Sequence, residues 1–229
     1  MAIAPLTPEL LSAFPLFESL DKVDLERLLE RHLASALGEE QLLVQESDWG
    51  QTLFLIRAGL AKVRCYSPDG EEVVLCLLGP GDVFGEMALL DEKPRSADVL
   101  SLTPVNLVKF SGALFRQLML SRAPLSLAIA QLQSKRLREL NRRFAIHSAD
   151  ASTRLLNALA QLACLSESGA NVLSVFPTLG QRELAAIAGL SRETTSRTLS
   201  KLRERGYLEE TAAGMRLLSE EPLKRRCLL

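Results

Sequence analysis

The sequence predicts an α+β fold with a strand-rich front, one long helix, and a helical back half that carries two helices and a turn. Three observations predict it. Between Gln41 and Phe110, short alternating or β-branched segments are divided by turn residues. After Pro124 a helical pattern runs to about His147 without Gly or Pro. GQRELAAIAGLSRETTSRTLSKLRERGYLEE (180–210) then places a glycine between two stretches of helical period. The chain has 229 residues, 47% of them hydrophobic, which is enough to bury a real core in one or two domains.

Leu10 to Leu37 carries helical spacing with mixed charge, through Leu25, Leu28, Leu29 and Leu33, and is expected to be helical. Strands are expected at QLLVQE (41–46), TLFLIR (52–57), LAKVRCY (60–66), EVVLCLL (72–78), ADVLS (97–101) and VNLVKF (105–110). Ser47-Asp48-Trp49-Gly50, Ala58-Gly59, Ser67-Pro68-Asp69-Gly70 and Gly79-Pro80-Gly81-Asp82 supply the turns between them. Several short strands at this spacing read as an antiparallel sandwich or barrel.

The helical pattern returns at Leu114. On the long helix Leu125, Ile129 and Leu132 are spaced 4 and 3, and Leu137, Leu140 and Phe144 are spaced 3 and 4, with Arg136 in the step between the two sets. A helix of roughly 24 residues spans about 36 Å, long for a small domain. We expect a dimer seam with a polar interruption, drawn from Leu125, Ile129, Leu132, Arg136, Leu140 and Phe144; an ordinary amphipathic core helix is the plainer alternative. SADAST (148–153) reads as a hinge, Arg154 to Leu165 as a helix followed by a loop with Ser and Gly, and LSVFPTLG (173–180) as a strand ending in a turn.

In the second motif Thr178 and Gln181 form a T-x-x-Q capping box. The first helix presents Leu184 and Ile187 and ends at Gly189, where a left-handed residue is needed. Leu190 fills the gap and Ser191 caps a second helix, which ends at Gly206. Its inner face is expected at Thr194, Thr198 or Leu199, and Leu202. This is helix-turn-helix spacing, and the first turns of the second helix carry Arg192, Glu193 and Arg197. In a major groove Arg forks match guanine O6 and N7, and a carboxylate accepts from cytosine N4. Six basic and three acidic residues lie between Gln181 and Arg205. An αα-hairpin with a solvated charged face would share this pattern.

The net charge of −1 hides an asymmetry. Residues 1–120 hold 10 Lys/Arg against 18 Asp/Glu, and residues 121–229 hold 17 against 10. An acidic front and a basic back suggest two modules with different partners, the basic one suited to nucleic acid. The longest apolar run, Val73 to Leu78, falls far short of the roughly 18 residues that span a bilayer. No secretory signal is visible in MAIAPLTPEL. Cys65, Cys76, Cys164 and Cys227 are widely spaced, as expected for reduced thiols in a cytoplasm, and with His32 and His147 give no metal-site spacing. No nucleophile stands with a histidine and no carboxylate pair marks a cleft, so an enzyme is not expected.

FGEMALLDEKPRSADV (84–99) puts Glu86 after a glycine in an apolar run, and Arg95 and Ser96 after a proline. Burying such charges is costly unless each finds a partner. The simplest solution is for Glu86 and Arg95 to pair with each other. FGEMALLDEKPRSA also resembles the phosphate-binding cassette of cyclic-nucleotide domains, F-G-E-[apolar]-A-[apolar] followed by R-S/T-A. GLSRETTSRTLSKL is similar to the recognition helix of the cyclic-AMP receptor/FNR-type (Crp/Fnr) bacterial transcription regulators. The two motifs stand about 100 residues apart in that family's order, and the resemblance covers nearly the whole chain.

The resemblance implies a cyclic-nucleotide-binding β-roll (1–122), a dimerisation helix (123–148) and a winged helix-turn-helix domain (149–229). It places Glu86 on the ribose 2′-hydroxyl and Arg95 with Ser96 on the cyclic phosphate, with Gly85, Met87 and Ala88 around the same ligand. A close turn at Gly85 and the start of the helix after it favour an anion, and an arginine that cannot discharge wants one. Aligned from Phe115-Arg116-Gln117-Leu118, the family's adenine-touching Thr-Ser pair becomes Leu140 and Asn141; only Asn141 can hydrogen-bond a base, which alters adenine recognition. Ser191, Arg192, Glu193, Thr194 and Arg197 match the recognition residues, and Gln181 and Lys201 complete the expected DNA face. The implied protein is a homodimer in the cytoplasm, gated allosterically by cyclic AMP. It binds a palindrome of TGTGA-like half-sites and meets RNA polymerase, with no membrane, metal, haem or iron–sulfur cluster. The alternatives are a regulator with a different ligand or none, and a cyclic-nucleotide-binding regulatory protein that acts on a protein partner.

Overall fold

The computed structural model describes residues 5–166 and 171–229. In chain order come α1 (Pro8–Ser12), α2 (Lys22–Glu30), β1 (Leu33–Leu37), β2 (Leu42–Val44), β3 (Thr52–Ala58), β4 (Ala61–Tyr66), β5 (Glu72–Leu78), β6 (Val83–Phe84), α3 (Met87–Asp91), β7 (Asp98–Ser101) and β8 (Val105–Ser111). Then follow α4 (Gly112–Ser121), α5 (Ala123–His147), α6 (Ala151–Ser166), α7 (Gln181–Ala188), α8 (Arg192–Glu204), β9 (Leu208–Thr211), β10 (Gly214–Leu217) and α9 (Glu221–Lys224). Each of the six segments predicted as strands between Gln41 and Phe110 contains one. The loop expected after α6 falls largely on 167–170, outside the described residues.

The chain divides into two compact units, one built from residues 1–61 with 81–139 and the other from 62–80 with 140–229. In the first, an antiparallel sheet runs β1-β8-β3-β6, and β2 pairs with β7. Its core gathers Leu11, Phe17, Leu28, Leu53, Leu55, Val108, Phe110, Phe115 and Leu118, each under 2% exposed. The ring of Phe17 packs against Phe110 and edge-on to Phe115.

Three corrections belong to this unit. The helical reading of Leu10 to Leu37 holds only for the end of α1 and for α2, because 13–21 runs through turns and Leu33–Leu37 is an edge strand in register with Val105–Lys109. LASAL has no polar stripe to hold a helix in water, and a ladder of backbone bonds outweighs its weak local preference. Leu125 and Ile129 are 0% and 3% exposed and belong to this chain's own core, with Leu132 packed against it. They are therefore not on a seam; the first two turns of α5 join the same core cluster as Phe115, Leu118 and Met119 of α4. Arg136 also points elsewhere, as described below.

In the second unit β4 pairs with β5, and α6, α7 and α8 pack as a helical group followed by the β9–β10 ribbon. LSVFPTLG is not a strand; only Phe176 bridges, to Met215, because Pro177 cannot donate to a ladder. The capping box is not formed either, since α7 starts from Gly180 with no side-chain cap. SADAST is a break of three residues rather than six. Asp150 turns its carboxylate back onto the N–H groups of Ser152 (2.9 Å) and Thr153 (3.1 Å) and so starts α6. On α8 it is Thr195, fully buried, that faces inward with Thr198, Leu199 and Leu202, and not Thr194. Ser191 occupies Thr194 instead, accepting from its N–H at 3.1 Å and donating to its hydroxyl at 2.9 Å.

No helix of the described residues is long and apolar enough to cross a membrane. Cys65, Cys76, Cys164 and Cys227 form no disulfide among the described residues. Among the described residues no group of three His, Cys, Asp or Glu side chains could hold a metal.

Candidate ligand pocket and nucleic-acid interface

β6 delivers the chain to Gly85, whose φ of 86° is open to glycine at no cost. Space demands it too, because a Cβ there would lie 2.4 Å from Arg95 Nη1 and 2.8 Å from the Thr52 carbonyl oxygen. Glu86 follows at the start of α3 with 2% of its surface exposed, and Ala88 is buried behind it. Arg95, 7% exposed, returns on the far side of the loop. Its Nη1 donates to the Gly85 carbonyl at 2.7 Å and its Nη2 to the Thr52 carbonyl at 2.9 Å. The guanidinium stands 5.7 Å from the Phe54 ring, which stacks on Phe84 at 4.7 Å. Burial pushes the Arg95 pKa down, against the charges of Glu86 and Asp48. The guanidinium is thus held by carbonyl dipoles and a ring face rather than by a bonded carboxylate.

Glu86 has found other partners. Its Oε1 accepts from Gln133 Nε2 at 2.7 Å and from Arg136 Nη1, while Arg136 Nη2 donates to the Val83 carbonyl. So Glu86 and Arg95 do not bond directly, as the simplest sequence reading had them. Gln133 and Arg136 are spaced i, i+3 on α5 and reach the loop from one face. The sequence reading missed Gln133 entirely and gave Arg136 to a seam; their spacing was the available signal. Ser96 is exposed, its hydroxyl 3.6 Å from Met87 Sδ, and Met87 is half exposed. Asn141 is exposed and belongs to the other unit, with Leu140 46% exposed beside it.

A buried, permanently charged guanidinium beside an open hydroxyl and a buried carboxylate can take a ligand that is anionic at one end and rich in hydroxyls at the other.

The helix-turn-helix is built as its residue types require. Gly189 sits at φ 62°, and its N–H closes α7 on Ala185 and Ala186. The end of α7 receives two cations, with Arg154 Nε donating to the Ala188 carbonyl at 3.1 Å and Arg143 donating to Ile187. Burial lowers the Arg143 pKa. Gln181, Ser191, Arg192, Glu193, Arg197 and Lys201 are exposed and Thr194 partly so, while the opposite face of α8 is core. Arg197 Nη2 lies 3.5 Å from Glu193 Oε1, one turn back. Thr194, Arg197 and Lys201 line a shallow groove with Asp150 and Ser152. Fixed backbone with mobile charged tips is what reading base edges needs.

Two family models match the chain, the cyclic nucleotide-binding domain over residues 36–122 and the Crp-like helix-turn-helix domain over residues 153–226. The cyclic AMP receptor protein of Thermus thermophilus is 34% identical over 199 residues, 85% of this chain and 88% of that protein. The CRP-like cAMP-activated global transcriptional regulator of Mycobacterium tuberculosis is 28% identical over 222 residues, 95% of this chain and 98% of that one. Among solved structures, the c-di-GMP responsive global regulator CLP of Xanthomonas campestris is 25% identical with a TM-score of 0.67, over 87% of this chain and all of that one. A cyclic-nucleotide-binding domain followed by a long helix and a Crp-like helix-turn-helix, with relatives along nearly its whole length, makes this chain a member of the Crp/Fnr family of transcription regulators.

Proposed function

We propose that this regulator binds cyclic AMP in the pocket of Glu86 and Arg95 and, as a homodimer, binds a palindrome of TGTGA-like half-sites. The observation that carries the ligand reading is Arg95, buried, with its hydrogen bonds among the described residues going to backbone carbonyls. Such a cation gains most from a phosphate that brings full negative charge. Arg95 and Ser96 hold the phosphate, Glu86 takes the ribose hydroxyl, and Gly85, Met87 and Ala88 shape the site. Asn141 is the base-reading candidate. Residues 1–122 act as sensor, 123–148 as dimerisation helix and 149–229 as reader. RNA polymerase is the further partner, and the cytoplasm, on the nucleoid, is the place of action.

The dimer seam in this reading is shifted. Leu127, Ala130, Ser134, Leu137, Asn141 and Phe144 are all exposed on α5 and recur at 3, 4, 3, 4 and 3. That is a heptad stripe of the same period as the buried one and turned away from it. Phe144, 83% exposed, gains most from a partner.

Isothermal calorimetry with cyclic AMP, cyclic GMP and cyclic di-GMP, alongside binding-site selection on random duplexes, tests the proposal. Heat with cyclic AMP that is lost in Arg95→Leu, and a two-fold symmetric selected motif, are the expected results. Binding only of cyclic di-GMP would favour the second reading, a different ligand, which the solved CLP relative makes specific.

A further inference from the structure

We propose that Lys62 is the pin of a charge clamp that ties the β4–β5 ribbon to the first helix of the helix-turn-helix, so that a segment of the sensor domain sets the position of the DNA reader. The Lys62 side chain is only 3% exposed. Its Nζ donates to Glu183 Oε2 in the first turn of α7 at 2.6 Å and stands 2.6 Å from Glu72 Oε1 on β5. The second contact is charge attraction without hydrogen-bond alignment. Arg64 reaches the other oxygen of Glu72 at 3.4 Å.

These residues come from both matched domains. Lys62 and Glu72 lie within the cyclic nucleotide-binding match, and Glu183 lies within the helix-turn-helix match. Yet ribbon and reader form one compact unit. A second observation bears on the same attachment. A Cβ on Gly79, just after β5, would lie 2.9 Å from the Leu165 carbonyl oxygen, so the end of the ribbon is pressed onto α6. A few residues further along the chain stands Glu86.

Buried ion pairs add little net stability, because desolvation cancels most of the attraction, and only a well-aligned geometry offsets that cost. A lysine shared by two carboxylates is satisfied in one arrangement of ribbon and helix and in few others. α7 is then held at both ends, by Lys62 through Glu183 at its start and by Arg143 and Arg154 at its final carbonyls, the charge order that a helix dipole favours. With α7 held, α8 keeps its charged face exposed. A shift of the ribbon when ligand enters beside Glu86 would reach α7 through this clamp. That last step alone rests on the proposed ligand.

Hydrogen exchange of the full-length protein tests the clamp without ligand or DNA. In Glu183→Gln, peptides covering 62–80 exchange at least fivefold faster, although the substitution lies far away in sequence. In Lys62→Met, peptides covering 181–188 do the same, while the β3 and β8 peptides are unchanged. The swap of Lys62→Glu with Glu183→Lys restores protection relative to either single change, since it rebuilds the ion pair between positions 62 and 183. Glu183→Gln leaves Lys62 its Glu72 partner and keeps the fold if Lys62→Met does not. Exchange within twofold of the parent in Glu183→Gln, or a swap no better than the single changes, overturns the clamp. Gel shifts on a selected operator then read its role: cyclic AMP raises DNA affinity in the parent, and in Glu183→Gln that ratio falls at least fivefold toward one. A parent ratio of one would count against the cyclic-AMP reading and leave the exchange result to judge the clamp; an unchanged ratio in Glu183→Gln, with the parent responsive, removes the clamp from the relay.

Discussion

Gln133 on the long helix donates to the buried Glu86 across 2.7 Å, and Arg136, one turn on, binds the same carboxylate oxygen. The residue assigned to the ribose is therefore already attached to the helix assigned to dimerisation. Replacing Arg136 with Leu leaves a carboxylate of 2% exposure with one neutral donor. Arg136 is itself 22% exposed, so water relieves part of the loss, and we expect about 1–3 kcal/mol of destabilisation in urea unfolding. Glu86→Gln with Arg136→Leu should cost less than Arg136→Leu alone. A more damaged double variant would show that Glu86 carries no unpaired charge.

Arg95 is the ligand's anchor in our reading. Arg95→Leu should lower nucleotide affinity by about 2–5 kcal/mol while Ser96→Ala costs about 1 kcal/mol, since one removes a charge and the other a neutral donor. Calorimetry at fixed salt gives both numbers. Equal, small losses would move the phosphate elsewhere.

On α8, Arg192→Ala and Arg197→Ala should each cost about 1–3 kcal/mol of operator binding and relax one base pair. Glu193→Ala should relax a C·G position. It also frees Arg197 from the contact at 3.5 Å, so binding to unrelated DNA should rise slightly. Competition gel shifts against single-substituted operators resolve the three. In the proposed dimer the two α8 helices meet successive major grooves about 34 Å apart.

Leu137→Asp and Phe144→Asp should shift the protein from dimer to monomer in sedimentation. Leu125→Ala should instead lower stability, by about 2–5 kcal/mol, without changing association. Leu125 is fully buried in its own chain, whereas Leu137 is 60% exposed. The reverse pattern would restore the seam first read from the sequence.

Asp150 offers a pH test. The Thr153 hydroxyl, at 2.7 Å, first of all and then the N–H groups of Thr153 and Ser152 hold its carboxyl below the ordinary value of 3.8. A carboxyl depressed on folding contributes stability that is fully present above the unfolded value. That contribution fades as pH falls through the lower folded value. Asp150→Ala should therefore cost about 0.5–2 kcal/mol at pH 7, and the gap to the parent should narrow below about pH 4 in thermal melts.

What the sequence by itself determined is the part written in local patterns. Alternation and turn residues marked six strand segments, and the absence of Gly and Pro marked α5 to within two residues at its start. Gly189 and Ser191 placed the turn and cap of the helix-turn-helix, because φ above zero and an orphan N–H each select particular residue types. That Glu86 and Arg95 would need partners was legible too, since few arrangements justify charge in an apolar run, whereas Ser96 was singled out by the resemblance alone. Only the tertiary structure decided which partner each residue meets. LASAL became a strand because β8 offered it an edge. Of two 3-4 stripes on α5, the one through Leu125 and Ile129 went to the chain's own core, which periodicity cannot reveal, since both stripes repeat alike. Glu86 turned to Gln133 and Arg136, and Arg95 to two carbonyls, at separations of 43 to 50 residues or, for Gly85, of 10. Lys62 found Glu183 across 121 residues. Contacts of this kind follow from how folded segments fill space, and a sequence read in windows carries no record of them.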